Sequence, residues 1–355
     1  MATESNNIVA ETAARMFADL ADPQTINKAR DEAWKAKLWQ ALADAGLTLA
    51  WVPENLRGSG ASLGDGFAII AATGRSALPV PLAETLLAGW LLAQAGIESP
   101  VGAMTVAPAQ PNETIEAGAG GVLNGRARAV PFAREAEHIA ALVSGPKGLA
   151  VALVATADCQ LSEGRNLAGE SSVAVTFAHA RPRKLAPLPP SFERHTLLLM
   201  GATMRAMQIA GALETILGMS VAYANERVAF ERKIGKFQAV QQNLARLAGE
   251  TAAALAASGS AADSIARARA FDEGVSLEVA SAKIRCAEAA AEGAAIAHQV
   301  FGAIGFTNEH ILHRFTLRML AWRDDFGNES TWGAKLGEDI ARRGADEFWP
   351  LVASR

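Results

Sequence analysis

Cysteine is nearly absent. Only Cys159 and Cys286 occur in 355 residues, far apart and outside any CxxC spacing, which excludes a disulfide framework and a cysteine zinc site. Charge of one sign is not in excess either: 33 basic against 37 acidic side chains leave a net −4. A balance this mild presents no surface suited to nucleic acid or an anionic membrane, so any basic site for a phosphorylated ligand must be local. Apolar runs are broken by charge, Gly or Pro before the roughly twenty residues of a membrane span are reached. The opening MATESNNIVAETAARMFADL is polar and acidic, without the apolar core and cleavage site of a secretion signal, and the expected location is the cytoplasm. His298, His310 and His313 have no carboxylate pair nearby, so no metal site is expected, and surface or interface positions suit them.

What is present changes texture twice along the chain. From Ala10 to Gly96 apolar residues recur at helical spacing, as at Trp34, Leu38, Leu42 and Ala45, with Gly46 as a stop. Between Pro100 and Pro190, short β-prone runs such as HIAALVSG, GLAVALVAT and SSVAVTFAHA are separated by turn residues, which suggests an antiparallel sheet or small barrel. RPRKLAPLPP reads as a linker because consecutive prolines stop helix and ladder alike. From Phe192 to Arg343 the chain is Ala- and Leu-rich, with small residues that let helices approach closely in a bundle. The expected architecture is α+β, with a helical segment over 1–100, a middle β segment over 101–190 and a helical bundle over 191–355.

Two stretches carry candidate chemistry. In NERVAFERKIGKFQAVQQNLARL, Phe230, Ile234, Phe237, Leu244 and Leu247 fall at helical spacing. Arg227 and Gln238 are about three turns apart on an ideal helix, although Gly235 is a possible break. Arg227, Arg232, Lys233 and Lys236 form a basic cluster that suits either phosphate oxygens or a solvated helix surface. In HQVFGAIGFTNEHILHRFTLRMLAWRDDFG, Gly302 and Gly305 bracket a turn, and Thr307 or Asn308 is the expected N-cap of the next helix, with Glu309 in its first turn.

Together, in this order and at this separation, the two stretches resemble the acyl-CoA dehydrogenase family. That family carries R-x-x-F…Q, here Arg227, Phe230 and Gln238, followed by Q-x-x-G-G-x-G-[FY]-[TS]-x-[ED], here Gln299, Gly302, Gly305, Phe306, Thr307 and Glu309. The resemblance implies an N-terminal helical domain, a middle antiparallel β-barrel domain and a C-terminal four-helix bundle. It implies FAD, with Arg227, Phe230, Gln238, Gln299 and Gly302 contacting the pyrophosphate and adenosine half across a dimer interface. It also implies an acyl-CoA substrate, an oligomer of like or unlike chains (a dimer or dimer of dimers), and an electron acceptor such as an electron-transfer flavoprotein.

Departures from the pattern are specific. Glu231 stands where the family has Gly, and Ala303 replaces the second Gly of the later motif. Ala129 and Pro131 fall where a Trp and a Thr usually flank the flavin ring, and MTVAPAQPNETIEAG replaces the flavin-facing loop. The family's α-proton abstraction needs a carboxylate at one of two places. By count the first is Gly201 and the second is Phe326, with Asp324, Asp325 and Glu329 nearby. Asp325, one residue away, is the first candidate base and Glu329 the second. Three readings follow from the resemblance: an acyl-CoA dehydrogenase, a partner subunit without its own chemistry, and a related flavin oxidase or monooxygenase.

Overall fold

The structure, a computed structural model, describes residues 2–353, and the side chains of 8–353. Helices α1 (Ala2–Ala21), α2 (Pro23–Lys28), α3 (Ala33–Asp44), α4 (Leu63–Arg75) and α5 (Leu82–Gln94) come first. Leu38 and Leu42 of α3 are fully buried. The helix ends at Gly46, whose φ of 70° is the left-handed turn that glycine adopts without a Cβ penalty. Ala45 is therefore exposed beyond the helix rather than on its buried face. The turn-rich run that follows closes on a capping box, with the Ser62 hydroxyl accepting from the Asp65 N–H and the Asp65 carboxylate accepting from the Ser62 N–H.

Strands β1 (Met104–Ala107), β2 (Ile115–Ala117), β3 (Leu123–Pro131), β4 (His138–Gly145), β5 (Gly148–Ala155), β6 (Gln160–Leu161), β7 (Ser172–Ala180) and β8 (Lys184–Pro187) form one sheet. Its order is β6-β7-β3-β2-β4-β5-β8, antiparallel except where β1 and β2 run parallel to β4. Successive residues of β4 face opposite cores. Ala140 and Leu142 join the helices, while Ile139, Ala141 and Val143 join a second cluster made by the middle β segment. Burial on both faces is why this strand reads as a continuous apolar run rather than an alternating one. The stretch expected as a linker contains β8, which pairs with β5. A proline is tolerated there because β8 is an edge strand whose outer N–H positions have no ladder partner to lose.

The chain then returns to helix with α6 (Arg194–Glu226). A small hairpin follows, β9 (Val228–Ala229) and β10 (Arg232–Lys233), and leads into α7 (Gln238–Arg267), α8 (Glu273–Phe301) and α9 (Leu312–Trp322). Helices α10 (Glu329–Arg343) and α11 (Ala345–Ala353) complete the described chain. Helix α6 is long and apolar enough to cross a membrane, but most of it is buried inside the fold. One continuous core joins α1, α4 and α5 to α6, α7, α8 and α9, so the first helical segment and the bundle share their packing.

Glycines set the α4–α6 crossing. A Cβ at Gly74 would lie 2.1 Å from the Gln208 carbonyl oxygen, and one at Gly211 would lie 2.3 Å from that of Ala71. Each helix thus seats its backbone in the notch of the other, which no larger residue permits. Gly218, further along α6, meets nothing within 4 Å. Gly211→Ala is expected to destabilise by roughly 1–3 kcal/mol through overpacking. Gly218→Ala is expected to stabilise by roughly 0.5–1 kcal/mol through helix propensity. Urea unfolding midpoints of the two variants, on one helix and with opposite signs, check both.

Candidate active site

The expected helix through Arg227 and Gln238 is interrupted. α6 stops at Glu226, and Arg227 donates its N–H back to the Tyr223 carbonyl at 2.8 Å. Phe230 and Glu231 then turn the β9–β10 hairpin with φ of 52° and 62°. Two consecutive positive φ values are the signature of the tight turn that matches strand twist, which Asn and Gly usually supply. Glu231, at the position where the resemblance expects Gly, adopts the left-handed conformation despite its Cβ. Arg227 and Gln238 are thus not on one helix: one follows the end of α6 and the other begins α7. Nor do the five apolar positions make one buried face. Leu247 is buried, whereas Phe230 is 89% exposed at the hairpin tip.

The tip is ordered by its own contacts. Phe230 meets Phe237 edge-on at 6.3 Å between centroids, and the Arg232 guanidinium lies 4.0 Å over the Phe237 ring. Gly235 lets the following turn press against α6, since a Cβ there would stand 3.0 Å from the Ala224 carbonyl oxygen. Arg227, Arg232, Lys233 and Lys236 are exposed and, among the described residues, none forms an ion pair. Arg232, Lys233 and Lys236 shortly precede the first turn of α7, whose N–H groups and dipole favour an anion.

The second motif lies at the same end of the bundle. Tyr223, one turn before Arg227, stacks on Phe301 at 4.5 Å, two residues after the exposed Gln299. Gly302 ends α8 with φ of 64°, and Gly305 is buried where a Cβ would lie 2.9 Å from that of Phe301. The next helix begins later than expected, at Leu312. Thr307 instead bonds back to the Ile304 carbonyl, and His310 Nδ1 accepts the Leu312 N–H at 3.1 Å. All three histidines sit here, partly buried. His298 stacks on Phe306, bonds Thr316 and has its pKa lowered by burial, while His313 Nδ1 contacts the His310 carbonyl.

The two positions expected to offer a carboxylate touch each other. Phe326 is fully buried with φ of 56°, and its ring lies so close over Gly201 of α6 that a Cβ there would stand 2.3 Å from it. The backbone clamps the ring in place. Phe326 donates its N–H to the Ala109 carbonyl at 3.0 Å, and its own carbonyl accepts from Trp332 Nε1 at 3.0 Å. Gln110 reaches the Asp324 carbonyl at 3.2 Å. The 107–112 segment, where the resemblance puts the flavin-facing loop, is therefore bonded directly to the 324–327 turn. On its other side Pro131 has no N–H, and its carbonyl already accepts from the Thr105 hydroxyl at 2.7 Å.

Asp325 has a different occupation from the one expected. It is buried, and its Oδ2 accepts from Arg205 Nε at 2.9 Å and lies 2.8 Å from a second guanidinium nitrogen. Arg205, itself 1% exposed, also donates to Glu84 of α5 at 2.6 Å and to Gln208 at 2.5 Å, and Gln208 continues to Thr73. Burial pushes the Asp325 and Glu84 carboxyls up against the pull of Arg205. The same two acids more than offset the burial that would lower the guanidinium. Glu329 is also engaged, paired with Arg323 in the first turn of α10. Burial opposes its charge, but backbone N–H groups and Arg323 outweigh that and hold its carboxyl below the usual range. Each acid is held through one oxygen, Asp325 through Oδ2 and Glu329 through Oε1, and Glu329 Oε2 is buried without a hydrogen-bond partner. The sequence missed Arg205 and Lys283 because each meets its partners at long separation. Lys283 is fully buried and donates to the Trp322 and Arg323 carbonyls at 2.9 and 2.7 Å, closing the end of α9.

Known proteins resemble this chain in sequence and in fold. Residues 194–329 match the family model for the acyl-CoA dehydrogenase C-terminal domain. The chain is 27% identical over 327 residues to acyl-CoA dehydrogenase IpdE2 of Mycobacterium tuberculosis, covering 89% of this chain and 91% of that one. It is 26% identical over 341 residues to acyl-CoA dehydrogenase FadE27 of the same organism, covering 88% and 90%. The crystal structure of the ChsE4–ChsE5 complex, also from Mycobacterium tuberculosis, superposes with a TM-score of 0.85 at 23% identity, over 96% of this chain and 98% of that one.

Burial pushes the Lys283 pKa down to about 8 from 10.5. Between those values the unfolded chain holds more protons than the folded one, so raising the pH favours folding. Relative to Lys283→Met, the wild-type chain is expected to gain up to about 1.4 kcal/mol of stability per pH unit across that window. Paired denaturant titrations from pH 7.5 to 10.5 check it, and a flat difference contradicts the burial of a charged lysine.

Proposed function

This chain belongs to the acyl-CoA dehydrogenase superfamily of flavoprotein oxidoreductases, and from that premise we propose that it is the subunit of an unequal pair that lacks the catalytic base. Phe326 on Gly201 carries the reading. Both positions from which the superfamily would draw a carboxylate are apolar here, and each fills the space of the other. Asp325 and Glu329, one and three residues away, are held by Arg205 and Arg323. The pairing with Arg323 weakens Glu329 as a proton acceptor, and the double contact with buried Arg205 turns Asp325 Oδ2 away from one.

The fit to FAD differs between its two halves. At the hairpin, Arg227 and its basic neighbours are exposed without carboxylate partners, the Phe230 ring stands free, and Gln238 opens α7 at their side. With Gln299 and Gly302 at the same end, these groups suit a pyrophosphate and adenosine held against a partner chain. Where the ring would lie in this chain, the 107–112 segment is bonded to the 324–327 turn, Ala129 offers no stacking surface and Pro131 has no N–H to donate. The flavin ring does not fit there. Seated with its ring in the partner, FAD would supply the hydride acceptor there. This chain's residues would hold the far end of the cofactor and close the interface. The ChsE4–ChsE5 structure, a complex of two differently named chains, supports an unequal pairing.

The purified chain alone is expected to carry no flavin absorbance and to oxidise no acyl-CoA with an artificial acceptor. Co-expressed with a superfamily member encoded beside it, it should purify as a yellow complex. Arg227→Ala and Phe230→Ala in that complex should each lower flavin retention about tenfold or more, the loss of a charge-assisted contact or a stacked ring. Full turnover by the isolated chain would sink the proposal.

A further inference from the structure

The geometry points to a further anion site, on α9 and not on the hairpin, that takes a phosphate group on Arg314. It lies in a cavity of about 520 Å³ between the α2–α3 connection, the β6–β7 loop and α9. Arg30, Arg165 and Arg314 reach this cavity from those three elements, with Trp34 and Phe132 among its walls. This inference does not rest on the subunit reading above.

Arg314 is the group the fold leaves unanswered. It is partly buried, its Nε is shielded from solvent, and that Nε has no hydrogen-bond partner. The acid beside it is already committed: the two Glu170 oxygens accept from Arg318 Nε at 2.7 Å and from the Asn166 amide at 3.2 Å. Arg318 also donates to the Arg314 carbonyl at 2.8 Å, which fixes the two guanidinium side chains on successive turns of α9. Burial, with the adjacent Arg318 charge, pushes the Arg314 pKa down to about 10. A guanidinium kept half out of water without a counter-ion is costly, and an oxyanion removes that cost.

The remaining charges select the anion. None of Arg30, Arg165 and Arg314 enters an ion pair among the described residues. Arg165 spends one nitrogen on the Gly169 carbonyl and keeps the rest. Of the acids lining the cavity, Glu32 pairs with Lys35, while Asp31, which accepts the Ala33 N–H through one oxygen, and Glu135 are exposed competitors. Three guanidinium groups arriving from different elements suit a tetrahedral dianion, whose oxygens point in several directions, better than a planar carboxylate. The aromatic walls leave room for a compact organic body attached to it.

The test is a calorimetric titration of the full chain with inorganic phosphate in chloride buffer at fixed ionic strength. Saturable binding is expected, at least tenfold weaker in Arg314→Gln and unchanged in Arg267→Gln, a distant surface variant. Should Arg314→Gln lose its native circular dichroism, Arg165→Gln decides instead and should weaken binding several-fold. Three results would overturn the site: no saturable binding, equal binding by Arg314→Gln with native dichroism, or acetate competing as well as phosphate.

Discussion

The guanidinium of Arg205 is the tie on which this site depends. It is buried in the middle of α6 and holds Glu84 of α5, Gln208 of its own helix and Asp325 of the turn after α9. Three charged groups out of water are tolerated only because each is bonded, and removing one partner of such a set typically costs about 3–5 kcal/mol. With Asp325 drawn inward, the next residue is set at a positive φ and its ring is delivered onto Gly201. Lys283 holds the same turn from the other side through two carbonyls. A network that looks like a catalytic cluster by composition is thus a clamp. What it fixes is the turn that lays the Phe326 ring over Gly201.

The opposite end of the bundle is built the other way. There the charged groups are exposed and unpaired, an aromatic ring stands in solvent, and two non-glycine residues sit in left-handed conformations to present it. Such a turn is held at a cost of about 1–2 kcal/mol per residue, which the contacts of Phe230 and Arg232 with the Phe237 ring help to offset. A closed centre and an open rim in one molecule are the division of labour expected of a chain that serves a cofactor seated mainly in another.

Much of this was legible in the residues. Helical spacing gave the helices around Leu38 and Leu42, Gly46 their stop, and the apolar runs their strands. The paired motifs pointed to the end of the bundle where Tyr223 and Phe301 meet. Counting along the chain reached both Gly201 and Phe326. That they touch is a tertiary fact, because 125 positions separate them in sequence. The bond between Asp325 and Arg205 was hidden for the same reason, since 120 residues separate the two. The hairpin was hidden because Phe230 and Glu231 are not turn residues by propensity, and β8 because prolines mask an edge strand. The start of α9 was misplaced because a histidine ring, rather than Thr307 or Asn308, accepts its first N–H.

The most direct measurement is the flavin content of the purified complex with its superfamily partner, from absorbance near 450 nm against protein mass. A closed ring site in this chain and open adenosine contacts at its rim predict one flavin per pair of unequal chains. Two flavins per pair would mean that the turn carrying Phe326 opens to admit a ring, and would contradict the account.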